Sequence, residues 1–469
     1  MQKTQPKNLY KNWLKIYSKA PDTFAKTSKI TQVACAFNTC IDSVVKMSGK
    51  QISEMINKNN LSVDELQSVD SPIANSVSSI IKGIFKCFTN GIAEEWISEK
   101  YEIFEWMLHN LGTKKMQTGG QAGIIANTLS LTPINKIILH SNALTSLQAE
   151  QLYNRPNLLS FDIDGKLSPA AQISRDKISS IHWIVEFDKG DKITVKNQEF
   201  ICPKSNRFII TYNPPLFDFV IDEKFLQYTY SHQFDYFILS GYQALSSDKN
   251  GIKHIKNSVH IIDNWKKSSP KSIIHLEIAS TQDLKIRKAI VQHLANKVDS
   301  IGLNEREAID ILQVINQKKL AEKCSQNPSS INMFEAIIKI KEKIKCPRIQ
   351  LHMFGLYITI QDKKYKLKPS SNLKGMTLAA TAAASKAFIG ELSKPEDILK
   401  SQGMNVSDIG INELISLSKH IKNQDFSVTG ICEYNGFDII AVPTIIIDKP
   451  KTLVGMGDTI SSFSIIGAG

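Results

Sequence analysis

The chain has 469 residues, 42% of them hydrophobic and 22% charged, with a formal net charge of +12. That length allows two or three domains with substantial cores, and the composition excludes disordered and fibrous classes. The lysines are dispersed through amphipathic stretches such as KIKEKIK at 339–345, with acidic residues among them, so the charge reads as a solvated surface and no nucleic-acid partner is expected.

Seven cysteines, at 35, 40, 87, 202, 324, 346 and 432, are scattered, odd in number and free of any CxxC pair. This pattern argues for reduced thiols in a cytoplasmic protein and against a disulfide frame or a zinc site. Cys35 and Cys40 read as small packing residues. No segment has the uninterrupted apolar length of a signal peptide or a membrane span, so no membrane partner is expected.

Along the chain, short β-like runs alternate with longer helical ones, the habit of an α/β protein with a largely parallel sheet. Core strands are expected over 31–38, 136–141, 235–240, 272–279, 300–303 and 438–442, and helices over 77–86, 283–297, 307–317 and 376–392. Asn38 and Asp42 are expected to end the first strand and open a helix. Between 157 and 212 the segments NLLSFDI, IHWIVEF, DKITVKNQEFIC and RFIITY follow one another with little helix, which suggests a small sheet set apart from the main one. There is no internal repeat, low-complexity tract or long linker.

The densest chemical signal is Val-Gly-Met-Gly-Asp-Thr-Ile-Ser at 454–461, after an apolar run over 437–447. Its glycines, Gly455 and Gly457, permit a tight turn that bares backbone N–H groups at a helix start, where anions bind. A carboxylate beside that anion, Asp458, can serve as the base of a phosphoryl transfer, although by itself the motif also fits an ordinary helix cap. His275 and Glu277, two apart on a strand, share one face, where a carboxylate can hold magnesium and a histidine can orient it. Asn304 and Glu307 form Asn-x-x-Glu ahead of a helix, which also fits a capping pair. No GxxxxGK[ST], HExxH or helix-opening GxGxxG is present, which removes the usual support for P-loop kinases, zincins and dinucleotide enzymes.

In order and spacing these motifs, with 36–42 (AFNTCID), 118–123 (TGGQAG), 206–209 (NRFI), 240–243 (SGYQ) and 348–352 (RIQLH), resemble the ADP-dependent sugar kinases, the glucokinase and phosphofructokinase family. The resemblance runs from about residue 31 to the end. It implies a ribokinase-like, Rossmann-type α/β sandwich with a smaller discontinuous α/β lid, divided as body 1–42, lid 43–114, body 115–150, lid 151–231 and body 232–469. It implies Asp458 as catalytic base, with backbone donors from Gly455 and Gly457, and Arg207 brought onto the transferred phosphate. It implies Mg2+ held by Glu277, Glu307 and Asp458. The sugar site would draw on Asn38, Asp42, Glu94 or Glu95, Gly119, Gly120, Gln121, His182 and Lys177, with Arg175 and Lys192 as further cations near His182. The nucleotide end would draw on Asn304, His275, His352, Phe354, Tyr357, Val442 and Gly457.

The expected reaction moves the β-phosphoryl of ADP to fructose 6-phosphate, with glucose, or both sugars, as the alternative acceptor. The chain is expected to work as a monomer or small homo-oligomer on a small-molecule sugar and ADP. Ile445 and Leu453 depart from the family pattern near the nucleotide. A sugar- or nucleotide-sensing protein that keeps the fold without turnover is the alternative from another class.

Overall fold

A computed structural model describes residues 6–68, 73–111 and 115–469. The strands of these residues are β1 (Gln32–Ala36), β2 (Cys40–Lys46), β3 (Glu94–Ile97), β4 (Lys115–Gly119), β5 (Lys136–Leu139), β6 (Leu158–Phe161), β7 (Leu167–Pro169), β8 (Ile181–Phe187) and β9 (Lys192–Val195). They continue with β10 (Gln198–Ile201), β11 (Asn206–Tyr212), β12 (Tyr236–Leu239), β13 (Ile273–Glu277), β14 (Ser300–Leu303), β15 (Arg348–Met353), β16 (Leu356–Asp362), β17 (Ile431–Tyr434) and β18 (Phe437–Pro443).

Eleven strands make one sheet, ordered β17-β18-β16-β15-β14-β13-β12-β1-β5-β6-β7. Its centre, from β15 to β6, is parallel, and the pairs β6–β7, β15–β16, β16–β18 and β17–β18 are antiparallel. The central strands β1, β12, β13, β14 and β15 are buried at every residue. Strands buried along their whole length are what a parallel sheet covered on both faces requires, and the polar residues among them, such as Arg348, Gln350 and His275, are hydrogen-bonded inside the core. Strand order runs outward in opposite directions from β1, so the loops after β1, β12, β13 and β14 part over a crevice at the carboxyl ends of the strands.

A second sheet, β3-β11-β8-β2-β4, has its own apolar core, in which Ile41, Val45, Trp183, Val185, Phe208 and Ile210 pack with Ile80, Ile84 and Phe88 of the helix Val77–Asn90. Strands β9 and β10 form a separate hairpin.

Four expectations are corrected. Residues 40–46 form a strand of the small sheet rather than a helix, because the β-branched run Ile41, Val44, Val45 fits a pleated surface better than a helix. The NLLSF segment joins the large sheet, with β6 parallel to β5, since pattern alone does not say which sheet an extended run joins. The expected helix over 283–297 is Leu284–Ala289 followed by one wide turn closed from Ala295 N–H to Ile290 C=O at 3.0 Å. Strands β4 and β2 lie wholly in the small sheet, whereas the expected division places residues 115–119 and 40–42 in the body, and residue 114, at one expected boundary, lies outside the described residues.

Candidate active site

The helix Met456–Ile466 begins on Gly455, whose φ of 64° and ψ of 24° are left-handed. A Cβ there would fall 2.9 Å from Ile124 and 3.0 Å from the Lys386 ammonium, so glycine serves both conformation and space. The N–H of Thr459 bonds Gly455 C=O at 3.1 Å, and helix geometry leaves the N–H groups before it without intrahelical acceptors. Asp458 lies in this first turn. Burial pushes its pKa up to about 6, with Lys386 opposing and Asp42 adding to the rise.

Facing it, Glu277 ends β13 and Glu307 lies in the first turn of the helix Glu305–Val314. Asn304 and Glu307 do form a capping box, with Asn304 N–H to Glu307 at 2.7 Å and Glu307 N–H to Asn304 at 3.0 Å. The capping and cavity-lining positions thus coincide in one pair, because Glu307 also borders the cavity. Burial pushes the Glu307 pKa up to about 8, Asn304 opposing it and Asp458 adding to it. Burial, then Glu307, holds Glu277 well above the carboxylate range. Glu307 and Asp458 thus raise Glu277, and Asp458 raises Glu307, so the buried carboxyls resist ionising together until a cation joins them, and an oxygen donor set of this kind suits Mg2+.

Beneath Glu277 runs a buried polar network. His275 contacts Glu277 at 3.3 Å, Ser461 at 2.8 Å and Ser300 at 2.9 Å. Arg348, fully buried, donates to Ser300 at 2.9 Å, Asn372 at 2.8 Å, Ser464 at 3.0 Å and Gln350. These bonds tie three parallel strands to the helix that carries Asp458.

The small sheet supplies the opposite wall by simple alternation. On β11, Phe208 and Ile210 enter the core, so Arg207, Ile209 and Thr211 face the cavity. On β8, His182 and Ile184 face it, and Asp42 on β2 stands directly across from His182. On β3, Glu95 faces the cavity and accepts from Thr211 at 2.6 Å. Glu94, one residue earlier, turns away to Lys86 at 2.8 Å and the Trp96 indole at 2.9 Å.

The cavity between these walls holds about 380 Å³ and is bordered by Asp458, Glu277, Glu307, Arg207, His182, Asp42 and Asn38 together. It shares Asn304, His352, Leu453, Met456 and Gly457 with a more apolar cavity of about 670 Å³ bounded by Phe354, Tyr357, Ala383 and residues 444–447.

The ADP-specific phosphofructokinase/glucokinase conserved region matches residues 31–467. The chain belongs to the ADP-specific phosphofructokinase/glucokinase family. Like the family, it is an ADP-dependent phosphotransferase acting on a sugar hydroxyl. It is 31% identical to an ADP-dependent glucose/glucosamine kinase of Pyrococcus furiosus, over 97% of this chain and 98% of that one. It is 26% identical to an ADP-specific phosphofructokinase of Methanosarcina acetivorans, over 92% and 91%. The fold matches an ancestral ADP-dependent phosphofructokinase of Methanosarcinales with a TM-score of 0.84 at 26% identity, covering 98% of each chain. It also matches an ADP-dependent kinase complex with fructose-6-phosphate and ADPbetaS, TM-score 0.82 at 26% identity, covering 100% of this chain and 98% of that one. The expected α/β class with a smaller second sheet is borne out.

Against the residues expected for this kinase family, the structure brings Asp458, Gly455, Gly457, Glu277, Glu307, Asn304, Arg207, Asn38, Asp42, Glu95, Gly120, Gln121, His182 and His352 to the one cavity. Gly119 lies just behind it, where a side chain would collide with Asp42. Tyr357 and Phe354 border the apolar cavity, but Val442 points into the sheet core and is fully buried, and residues 444–447 take its place. His275 sits under the floor and reaches the site only through Glu277 and Ser461. Lys177 is exposed and outside the cavity. Arg175 is buried against Asp222 at 2.9 Å, and Lys192 pairs with Glu199 at 2.9 Å. All three flank the small sheet in sequence without reaching its cavity face.

Sequence reasoning missed Lys386. Its ammonium lies 3.3 Å from Gly455 C=O and 3.4 Å from the Thr459 hydroxyl, behind the loop that carries Asp458, and burial lowers its pKa. It stands in an alanine-rich helix, Pro369–Ile389, that reads as core, so its only signal was a lone cation on an apolar stretch.

Proposed function

We propose that this protein transfers the β-phosphoryl of ADP to a hexose, with Asp458 taking the proton from the acceptor hydroxyl. The observation that carries the reading is that Arg207, with no carboxylate partner among the described residues and a buried, unbonded Nε, borders the same cavity as three mutually repelling carboxylates. An unpaired guanidinium calls for an anion and the carboxylates for a cation, which is what a metal-bound diphosphate supplies. Glu277, Glu307 and Asp458 would hold Mg2+, which neutralises charge on the phosphates when bound. The first-turn N–H groups of the helix Met456–Ile466 face the oxygens of the transferred group, Arg207 meets it from the small sheet, and Asp458 accepts the hydroxyl proton. The apolar cavity between Tyr357 and residues 444–447 suits the adenine. In this reading the small sheet acts as a lid on the large one, and the enzyme works in the cytoplasm as a monomer or small homo-oligomer.

For the acceptor, the cavity favours an unphosphorylated hexose such as glucose. Among the described residues that border it, Arg207 is the only arginine or lysine. With Arg207 committed to the donor, the Glu95 carboxylate on the small-sheet wall suits hydroxyl groups and repels a phosphate. Fructose 6-phosphate, the acceptor expected from the sequence, is the second reading, and likeness to the kinase complex with fructose-6-phosphate supports it. A coupled assay of AMP release with ADP or ATP, magnesium and each sugar tests both. We expect turnover with ADP and glucose. No turnover with any sugar would favour a sensor that keeps the fold.

A further inference from the structure

Cys40 opens β2 two residues before Asp42, so both side chains share the face that meets His182 on β8. The Cys40 sulfur lies 3.5 Å from each ring nitrogen of His182 and 3.9 Å from the Asp42 carboxylate, and His182 Nδ1 lies 3.4 Å from that same oxygen. Zinc–sulfur, zinc–nitrogen and zinc–oxygen bonds of about 2.3, 2.0 and 2.1 Å in a tetrahedron place ligand atoms roughly 3.3 to 3.6 Å apart. The separations between the three side chains match those edges, and because the sulfur now lies equally far from both nitrogens of His182, the ring has to turn to aim one of them at a shared ion. Among the described residues they are the one His/Cys/Asp/Glu group of three whose ligand atoms all lie within 4.8 Å of one another. Next to them, the buried Asn38 side-chain oxygen has no hydrogen-bond partner and borders the same cavity.

We propose that Cys40, Asp42 and His182 form a binding site for a zinc-class divalent cation at the acceptor end of the cavity, with its fourth position open to the cavity. Sulfur with imidazole selects zinc or cobalt over magnesium, which prefers six oxygen ligands and belongs to the Glu277–Glu307–Asp458 wall. Burial keeps the Cys40 thiol protonated, its pKa pushed up to about 11, and His182, although burial opposes it, is held well above the usual imidazole range by Cys40 and Asp42, so metal entry releases both the thiol proton and the imidazolium proton to solvent as the sulfur–metal and nitrogen–metal bonds form. Because the ion occupies Asp42 and His182, zinc excludes the hexose and inhibits in competition with it. That direction of inhibition rests on the acceptor reading above, whereas the metal site does not.

The test titrates the full-length protein, free of ADP, with Co2+ and reads the thiolate-to-cobalt charge-transfer band in the near ultraviolet. One equivalent should produce the band, Zn2+ should abolish it, and Cys40→Ser and Cys40→Ala should both lack it while binding magnesium at the other wall. In assays with magnesium in excess, Zn2+ should raise the hexose KM without lowering kcat, and Cys40→Ser should need at least tenfold more zinc for the same effect. Cobalt bound without the band, or zinc inhibition unchanged in both variants, overturns the site. A band that Cys40→Ser removes, with zinc effects indifferent to hexose concentration, supports the metal site and overturns the acceptor reading.

Discussion

The large sheet offers its functional groups from strand ends, Glu277 closing β13 and Asn304 following β14, whereas the small sheet offers Arg207, His182, Asp42 and Glu95 from the face of its strands. The difference lies in what fixes each set. Strand-end groups are held from below, where Arg348, Ser300, His275 and Ser461 bond the acidic wall to the helix of Asp458. Face groups are fixed by two-residue alternation over a separate apolar core, so they keep their mutual spacing whatever the sheets do relative to each other. One wall is thus built to hold charge rigidly, and the other to carry a cation and hydroxyl partners as a unit.

The comparison breaks most severely at Asp458. Asp458→Asn should lower kcat by about 10³-fold with sugar binding little changed, the scale of a positioned general base. Steady-state and binding measurements check it, and a near-normal rate would mean another group takes the proton. Arg207→Ala, on the opposite wall, should lower kcat by about 10²-fold more than it raises the sugar KM. A change in KM alone would move Arg207 to the acceptor.

The rigid wall can be probed by pH without catalysis. Asp458 at about 6 and Glu307 at about 8 both lie above their unfolded values, so the folded state holds more protons than the unfolded one between roughly pH 4 and 8. Buried His140, His352 and His275, whose pKa burial lowers, add stability as pH rises to about 6.5, so metal-free protein should lose stability over the upper window from about pH 6.5 to 8, its Tm falling by several degrees, on the scale of about 2 to 4 °C per kcal/mol or less for a chain this long. Magnesium should restore the Tm more at pH 8 than at pH 5, and a metal-free Tm that rises across the window would contradict the acidic-wall assignment.

Smaller effects separate the acceptors and the loop. Glu95→Ala should raise the glucose KM by about tenfold and improve fructose 6-phosphate relative to glucose, as expected when a site loses one hydrogen-bonding carboxylate. An unchanged acceptor ratio would remove Glu95 from selection. Lys386→Met, behind the loop, should cost only a few-fold to about tenfold in kcat, within the 1.4 kcal/mol that a tenfold change represents. Lys386→Arg should recover part of it if charge rather than length matters.

Much of the site was legible in the chain because its parts are local. Gly455 and Asp458, Asn304 and Glu307, and His275 and Glu277 each lie within a few residues, and their turn, cap and strand parity follow from backbone geometry that sequence spacing encodes. The same parity argument applies to Glu94 and Glu95, yet only the registry of β3 with β11 decides which of the two faces the cavity. The cations Arg175, Lys177 and Lys192 were misplaced because nearness to His182 in sequence says nothing about which side of the small sheet a connecting segment takes.

The amino-acid sequence by itself determined the α/β class, the glycine-led helix start with its aspartate and the acidic strand end, since periodicity and turn chemistry act over a few bonds. Tertiary structure alone decided that residues 158–161 join the large sheet, that Lys386 backs the loop of Asp458, and that Cys40 meets His182 across 142 residues of chain. Those contacts depend on strand pairing between distant segments, where burial and hydrogen-bond registry of the whole sheet, rather than local preference, select the partner.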